Sequence, residues 1–305
     1  MSRKLDTHLL EIFVCVVDKK SLTHAGIALN LVVSAISKRI QELERHVGKA
    51  LFKRNGRGIA PTAAGDLLYL HARSILRSLR AADEALIEFG NNGIKKIRLL
   101  ANQTTIVQSL PPQLASYLAT AQATSVELIE GHSVDIPARV CDGDADVGIY
   151  HAQYPSAGVV SYPYRRDRIG LVVPTAHPLT ARKSIAFEEA LDFPLVGGFP
   201  RHSLDLFLEL AGDSLSRPPN VVFSVSNFEA RCHMVKEGAG IAMLPEDIAH
   251  RYIDHLGLSL IRINDAWAER QFFGCVRESD AANTVAGGLL AHLCAGHDNA
   301  AAARQ

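Results

Sequence analysis

Between residues 5 and 19 the apolar side chains Leu9, Phe13, Val16 and Val17 recur at the spacing of one helix face. Ser21 stands as an N-cap before a second stretch with Ala25, Ala28 and Leu29, and Asn30 breaks that pattern. A third stretch begins near Ser34 and is expected to turn Ile36, Ile40, Leu43 and Val47 inward, with Gly48 placed to end it. Three short helices, the last two joined by a tight turn, have the spacing of a helix-turn-helix. Two short extended runs then flank Asn55-Gly56-Arg57-Gly58, a strong hairpin signal, and predict a wing. Thr62 caps a predicted helix over 63–90. In it Leu68, Ala72, Ile75, Leu79, Ala82, Leu86 and Phe89 alternate at spacings of four and three, a coiled-coil-like seam. The alternative is a helix buried against its own domain. Arg73, Arg77, Arg80 and Glu84 on the other faces favour the seam, with Leu68, Ile75, Leu79 and Leu86 as the pairing residues. Asn91-Asn92-Gly93 is read as a hinge.

From Ile94 the texture changes. Strand-like runs at 95–101, 125–130, 146–150, 158–163, 168–173, 194–197, 220–225, 241–244, 258–263 and 271–276 alternate with helical stretches at 111–121, 134–142, 187–192, 203–211, 227–237 and 246–254. This predicts α/β layers with mostly parallel sheets.

Charge changes the picture more than composition does. The chain has 305 residues, 48% of them hydrophobic, and a formal net charge of zero. Eleven basic and five acidic residues fall within 1–58, a net +6, so the remainder carries −6. A basic head on an acidic body points to an anionic partner for the head alone. On its third helix Ser34, Ser37, Lys38 and Gln41 lie on the outer side, able to meet bases or phosphates, and Arg57 at the hairpin tip could enter a minor groove.

Other chemistry is scarce. Cys15, Cys141, Cys232, Cys275 and Cys294 are odd in number and have no close pair, which argues against a disulfide framework and for reduced thiols in a cytoplasmic protein. Arg3-Lys4 before an apolar run imitates an export signal, but Glu11 interrupts the run and Asp18-Lys19-Lys20 occupies the place of a cleavage site. No apolar stretch is long enough to span a membrane. The thirteen histidines contain no metal-binding pair at helical spacing, and neither a nucleophile elbow nor a P-loop occurs. Gly238-Ala239-Gly240 has the wrong order for a nucleotide fingerprint, since a helix precedes it and a strand follows. No metal, organic cofactor or catalytic group is expected.

The residues Phe13, Ser21-Leu22-Thr23, Ala25 to Leu29, Ser34 to Ile40, Leu43-Glu44, Gly48, Leu51-Phe52, Arg54, Pro61-Thr62 and Gly65 together resemble the DNA-binding half of the LysR-type transcriptional regulators. Leu110-Pro111, Asp146 to Ile149, His177-Pro178-Leu179 and Glu237 to Pro245 resemble, more weakly, the family's effector domain. Two positions depart from the pattern: Val33 stands where Gln or Pro is usual, and Gly26 where a second Ala is usual. A valine there cannot hydrogen-bond a base but can touch a thymine methyl.

The resemblance implies a winged helix-turn-helix DNA-binding domain over 1–61, a linker and dimerisation helix over 62–92, and an effector-binding regulatory domain over 93–305. That last domain should look like a periplasmic binding protein, with lobe 1 at 93–163 and 265–300 and lobe 2 at 164–264. It further implies a homodimer or homotetramer on promoter DNA, controlled by a small organic effector bound between the lobes. By position, Val33, Ser34, Ser37, Lys38 and Gln41 would face the major groove and Arg57 the minor groove. Asn102, Gln103, Thr104, Ser133, His151, Phe199, Pro200, Asn227 and Phe228 would line the effector cleft.

Open α/β sheets bind ligands beyond the carboxyl ends of their strands, where helix N-termini offer backbone N–H groups. Asn102 to Thr105 is such a junction, and with His151, Arg201 or His202 supplying positive charge it suggests an anionic or polar ligand. A solute-binding protein or enzyme of the same two-lobed fold would need neither basic head nor heptad helix. A regulator that has lost its ligand response stays open at this point.

Overall fold

The computed structural model describes residues 6–55, 58–90, 95–121, 123–151, 158–197, 211, 215–282 and 284–302. The chain divides into two compact units, Met1–Gly93 and Ile94–Gln305.

The first unit opens with α1 (Thr7–Lys19), α2 (Leu22–Leu29) and α3 (Val33–Val47). Local chemistry sets each boundary. The Asp6 carboxylate accepts from the His8 N–H, Ser21 Oγ accepts from the His24 N–H, and Lys20, Asn30 and Gly48 end the three helices in the left-handed conformation. Leu10, Ile12, Phe13, Val16, Ala25, Ile36 and Leu43 are fully buried in one core, closed from below by Leu51, Ala72 and Leu76. Val47, expected inside, is exposed instead.

β1 (Phe52–Asn55) and β2 (Gly58–Pro61) pair antiparallel, with Phe52 opposite Pro61 and Asn55 opposite Gly58. The hairpin is tied to α3: Glu44 Oε1 accepts from the backbone N–H groups of Leu51 (2.7 Å) and Phe52 (3.3 Å). Thr62 Oγ1 caps α4 (Ala63–Gly90) by accepting from Gly65 N–H, and donates to the Ala50 carbonyl. In α4, Ala72 and Leu76 are buried in the core and Leu68 and Tyr69 pack against it. Leu67, Leu70, Ile75, Leu79 and Leu86 are left exposed. Leu68 thus serves its own unit, and the free apolar stripe lies further along the helix.

The second unit begins with β3 (Lys95–Ala101), α5 (Gln103–Gln108), α6 (Leu110–Thr120), β4 (Thr124–Glu130), α7 (Ile136–Cys141), β5 (Val147–His151) and β6 (Val159–Pro174). It continues through β7 (Ser184–Ile185), β8 (Leu195–Gly197), β9 (Val221–Ser224), α8 (Phe228–Lys236), β10 (Ala242–Pro245), α9 (Glu246–Ala249), α10 (Ile253–Leu256), β11 (Leu258–Ile263), β12 (Glu269–Arg277) and α11 (Val285–Ala302). The main sheet has the order β4-β3-β5-β12-β6-β11-β7, with β10 also on β6.

The expectation of mostly parallel sheets is corrected. β3, β4 and β5 are parallel to one another, but β12 runs antiparallel to β5 and β6, and β10 and β11 run antiparallel to β6. These antiparallel partners are far apart along the chain, with helices between them, so no local strand–helix–strand unit sets their direction. The expected strands 158–163 and 168–173 are one continuous strand. β6 pairs with β12 over Val159–Arg168 and with β10 and β11 over Ile169–Pro174, so it runs through both halves of the sheet. The expected helix at 187–192 is a 3-10 turn, 246–254 splits into α9 and α10, and 203–210 lies outside the described residues.

Candidate functional sites

The nucleic-acid face of the first unit follows from the amphipathicity of α3. Ile36, Ile40 and Leu43 fix its inner side, which leaves Val33, Ser34, Lys38 and Gln41 exposed and Ser37 half-buried. Ser37 and Gln41 border a pocket of about 140 Å³ with Leu22, Ile40, Glu44, Phe52 and Ile59, between the helix and the wing. Arg39 pairs with Glu42 at 3.2 Å, whereas Lys38 makes no ion pair among the described residues. Lys38 is therefore a cation on this face with no carboxylate paired to it among the described residues. Arg57 lies outside the described residues.

In the second unit the structure brings four of the expected effector residues together. Asn102 caps α5: its Oδ1 accepts from the Thr105 N–H at 3.0 Å, and its Nδ2 donates to Ser133 Oγ at 2.9 Å. Ser133 Oγ also accepts the His151 N–H at 3.2 Å. With both lone pairs engaged, the Ser133 hydroxyl retains its proton to donate. Thr104 is buried and its Oγ1 has no hydrogen-bond partner among the described residues. Gln103, at the head of α5, is half-buried. α5 is only six residues long and Asn102 already occupies the Thr105 N–H, so the expected anion site on backbone N–H groups is partly filled by the protein itself.

His151 does not supply positive charge. Burial, with the Arg270 guanidinium as second cause, pushes its pKa down to about 3, and the ring is neutral at physiological pH. It stands edge-on to Phe272 at 5.6 Å, and Arg270 lies over the same Phe272 ring at 5.1 Å. Arg270 donates from Nε to Asp167 Oδ1 at 2.7 Å and from Nη2 to Asp167 Oδ2, while Gln108 Nε2 approaches that carboxylate at 3.5 Å. Gln108, Asp167 and Arg270 were not visible as a group in the sequence, because they come from α5, β6 and β12.

The remaining expected residues fall elsewhere. Asn227 Oδ1 caps α8 by accepting from the Ala230 N–H, and Phe228 is buried in the core that surrounds the β10–β11 half of the sheet. Phe199, Pro200, Arg201 and His202 lie outside the described residues. Gly240 turns the chain at φ +147°, and a Cβ there would meet the Pro194 carbonyl at 2.3 Å, which accounts for Gly238-Ala239-Gly240 as a turn. Among the described residues no cluster of three or more His, Cys, Asp or Glu is placed to hold a metal, and no helix is long and apolar enough to cross a membrane.

A three-helix head with a basic reading helix and a wing, together with an α/β unit holding a buried polar cluster at the ends of β3 and β5, defines a ligand-regulated, DNA-binding transcription factor. Residues 7–66 match the bacterial regulatory helix-turn-helix protein, lysR family, and residues 92–295 match the LysR substrate binding domain. The chain belongs to the LysR family of transcriptional regulators, which are not enzymes. It is similar to the HTH-type transcriptional regulator CysL of Bacillus subtilis, 24% identical over 267 residues that cover 86% of this chain and 88% of that one. It is 30% identical over 241 residues to the HTH-type regulator YeiE of Escherichia coli, covering 77% and 78%. Its fold matches a hydrogen-peroxide-bound cysteine-to-serine mutant of OxyR from Corynebacterium glutamicum at a TM-score of 0.60, with 21% identity and coverage of 98% and 94%.

Proposed function

We propose that α3 enters the major groove of promoter DNA, with Ser34, Ser37, Lys38, Gln41 and Val33 at the bases and phosphates and the wing beside it. The observation that carries this is the exposed Ser34, Lys38 and Gln41 on the side of α3 opposite its three buried anchors. Two copies pair through the exposed Ile75, Leu79 and Leu86 of α4, which sets the spacing of their heads. A small organic effector engages Thr104, Ser133 and His151 in the second unit, and Asn102 holds Ser133 in place. Arg270, the cation beside this cluster, is already matched by Asp167, so the polarity of the site favours hydroxyl, carbonyl or amide groups on the effector. Effector binding biases the equilibrium of this unit, and α4 couples that bias to DNA affinity.

The test is recovery of genome fragments by the full chain, with Lys38→Ala as control. Discrete inverted-repeat sites recovered by the parent alone support the reading. The same unselective DNA from both proteins overturns it.

A further inference from the structure

The polar side chains along α5 are used in two ways. Thr105 Oγ1 donates to the Asn102 carbonyl at 3.1 Å and Ser109 Oγ to the Thr105 carbonyl at 3.3 Å, local bonds of the kind such hydroxyls ordinarily make. Thr104 and Gln108 depart from this. Thr104 Oγ1 and Gln108 Oε1 have no hydrogen-bond partner among the described residues, although the two residues are only 1% and 8% exposed. Four positions apart on one helix, they lie on the same face, with Cβ atoms about 5–6 Å apart. A buried polar atom without a partner is costly, and two on one face call for a ligand that supplies both partners.

Asp167 fixes what Gln108 shows to that ligand. The amide nitrogen Nε2 is the end that approaches the Asp167 carboxylate, at 3.5 Å, and Arg270 holds both oxygens of that carboxylate. Turning the amide over would set Oε1 against a carboxylate oxygen with no proton between them, so Oε1 stays on the side away from Asp167. The face therefore offers one obligate acceptor, Gln108 Oε1, and one hydroxyl able to donate, Thr104. A carboxylate brings acceptors alone and would meet Gln108 Oε1 with a lone pair. A carboxamide brings an N–H beside a carbonyl and matches both atoms without a charge. We propose that Thr104 and Gln108 together read a carboxamide on the effector: its N–H donates to Gln108 Oε1 and its carbonyl accepts from the Thr104 hydroxyl. This rests on the placement of the effector beside Thr104. It adds Gln108 as a specificity-determining residue and the carboxamide as the group selected.

The test uses the full chain and matched probes, each a carboxamide with its own carboxylate: acetamide with acetate, isobutyramide with isobutyrate, nicotinamide with nicotinate. Thermal shift and titration calorimetry read each pair. At least one amide should raise the unfolding midpoint of the parent and bind about tenfold tighter than its acid, the worth of one hydrogen bond. Gln108→Met, which keeps the length of the side chain, should bring the amide down to the affinity of the acid. Thr104→Val should weaken the amide by a similar factor, and circular dichroism checks that both variants are folded. The parent's own preference tests the proposal even if a variant does not fold. Tighter binding of the acids overturns it, as does stabilisation by no amide, which would leave the two atoms to water. Gln108→Met with the amide preference intact also overturns it. Thr104→Val separates the two levels. Acids that bind the parent and lose affinity in Thr104→Val would keep the effector site and remove the carboxamide alone. A probe whose affinity Thr104→Val leaves unaltered would take Thr104 out of the effector site, and the proposal with it.

Discussion

Arg270 lies directly opposite Asp167 across the β12–β6 ladder, and the two close a doubly hydrogen-bonded ion pair whose side chains are 0% and 1% exposed. The pair sits immediately before the point where β6 leaves β12 for the β10–β11 half of the sheet. Burying two charges is costly even when they are matched, and removing one partner is costlier, because the survivor keeps its charge without compensation. Asp167→Asn should therefore destabilise the protein by about 3–5 kcal/mol, and the apolar pair Asp167→Leu with Arg270→Met should recover most of that loss. Urea midpoints of the three proteins decide it. A double variant no better than the single one would mean that the pair contributes more than its own neutralisation.

His151 makes stability depend on pH in a defined direction. Unfolded, the imidazole takes a proton below its ordinary value of 6.5, whereas the folded ring resists until about 3. The unfolded state therefore binds more protons across that window, and stability falls as pH drops through it. Between pH 7 and pH 5 this one group should cost about 2 kcal/mol. His151→Gln should flatten the difference between unfolding free energies at the two pH values by that amount. An unchanged slope in the variant would place the acid sensitivity elsewhere.

Two buried hydroxyls in the same unit should behave oppositely. Ser133 Oγ satisfies two buried donors, from Asn102 and His151, so Ser133→Ala should lose about 1–3 kcal/mol. Thr104 Oγ1 satisfies nothing among the described residues, so the isosteric Thr104→Val should be neutral or stabilising by about 1 kcal/mol. The effector response should nevertheless be lost in Thr104→Val while basal DNA binding persists. Thermal shift and DNA-binding titration on the same preparations check both halves, and a full response from Thr104→Val would take Thr104 out of the effector site.

The contrast between these residues also marks what the sequence could reveal. The head was legible almost residue by residue, because its caps at Ser21, Gly48 and Thr62 and its anchors Phe13, Ile36, Ile40 and Leu43 are local signals that act over a few positions. The polar cluster was legible at Asn102 and Thr104 because they sit on a strand-to-helix junction, and at Ser133 and His151 only through the family resemblance. Asp167 within Arg166-Asp167-Arg168, and Arg270 after Glu269, read as ordinary surface charge, since nothing local says that two strands so far apart along the chain place them face to face. Sheet direction was misread for the same reason: pairing partners are long-range, while alternation of strands and helices is local.

The linker helix divides its apolar residues between two tasks. Ala72 and Leu76 are spent on the core of the first unit, whereas Leu79 and Leu86, at one heptad's spacing, are exposed beyond it. Leu79→Asp therefore costs the folded unit little and should act on self-association alone, placing a charge in an apolar seam. Sedimentation should show a lower mass for the variant with an unchanged helical signal. A variant that sediments with the parent's mass would refute the seam.

Gly26 sets two magnitudes against each other. In a helix Ala is favoured over Gly by about 1 kcal/mol, so propensity alone predicts that Gly26→Ala stabilises α2. The geometry predicts the reverse. A Cβ on Gly26 would meet the Leu31 carbonyl oxygen at 2.7 Å, and that carbonyl belongs to backbone already held by the Leu31 N–H to Gly26 carbonyl bond at 2.9 Å. Backbone cannot swing aside as a side chain would, so relief requires moving the turn between α2 and α3. Overpacking of this kind costs about 1–3 kcal/mol, enough to outweigh the propensity gain. The variant should have a lower unfolding midpoint, and its DNA affinity should fall as well, because the displaced turn is the segment that aims α3. Unfolding curves and DNA titrations on parent and variant give both numbers. A higher midpoint would show that the turn yields readily, and an unaltered affinity would show that the placement of α3 does not depend on it.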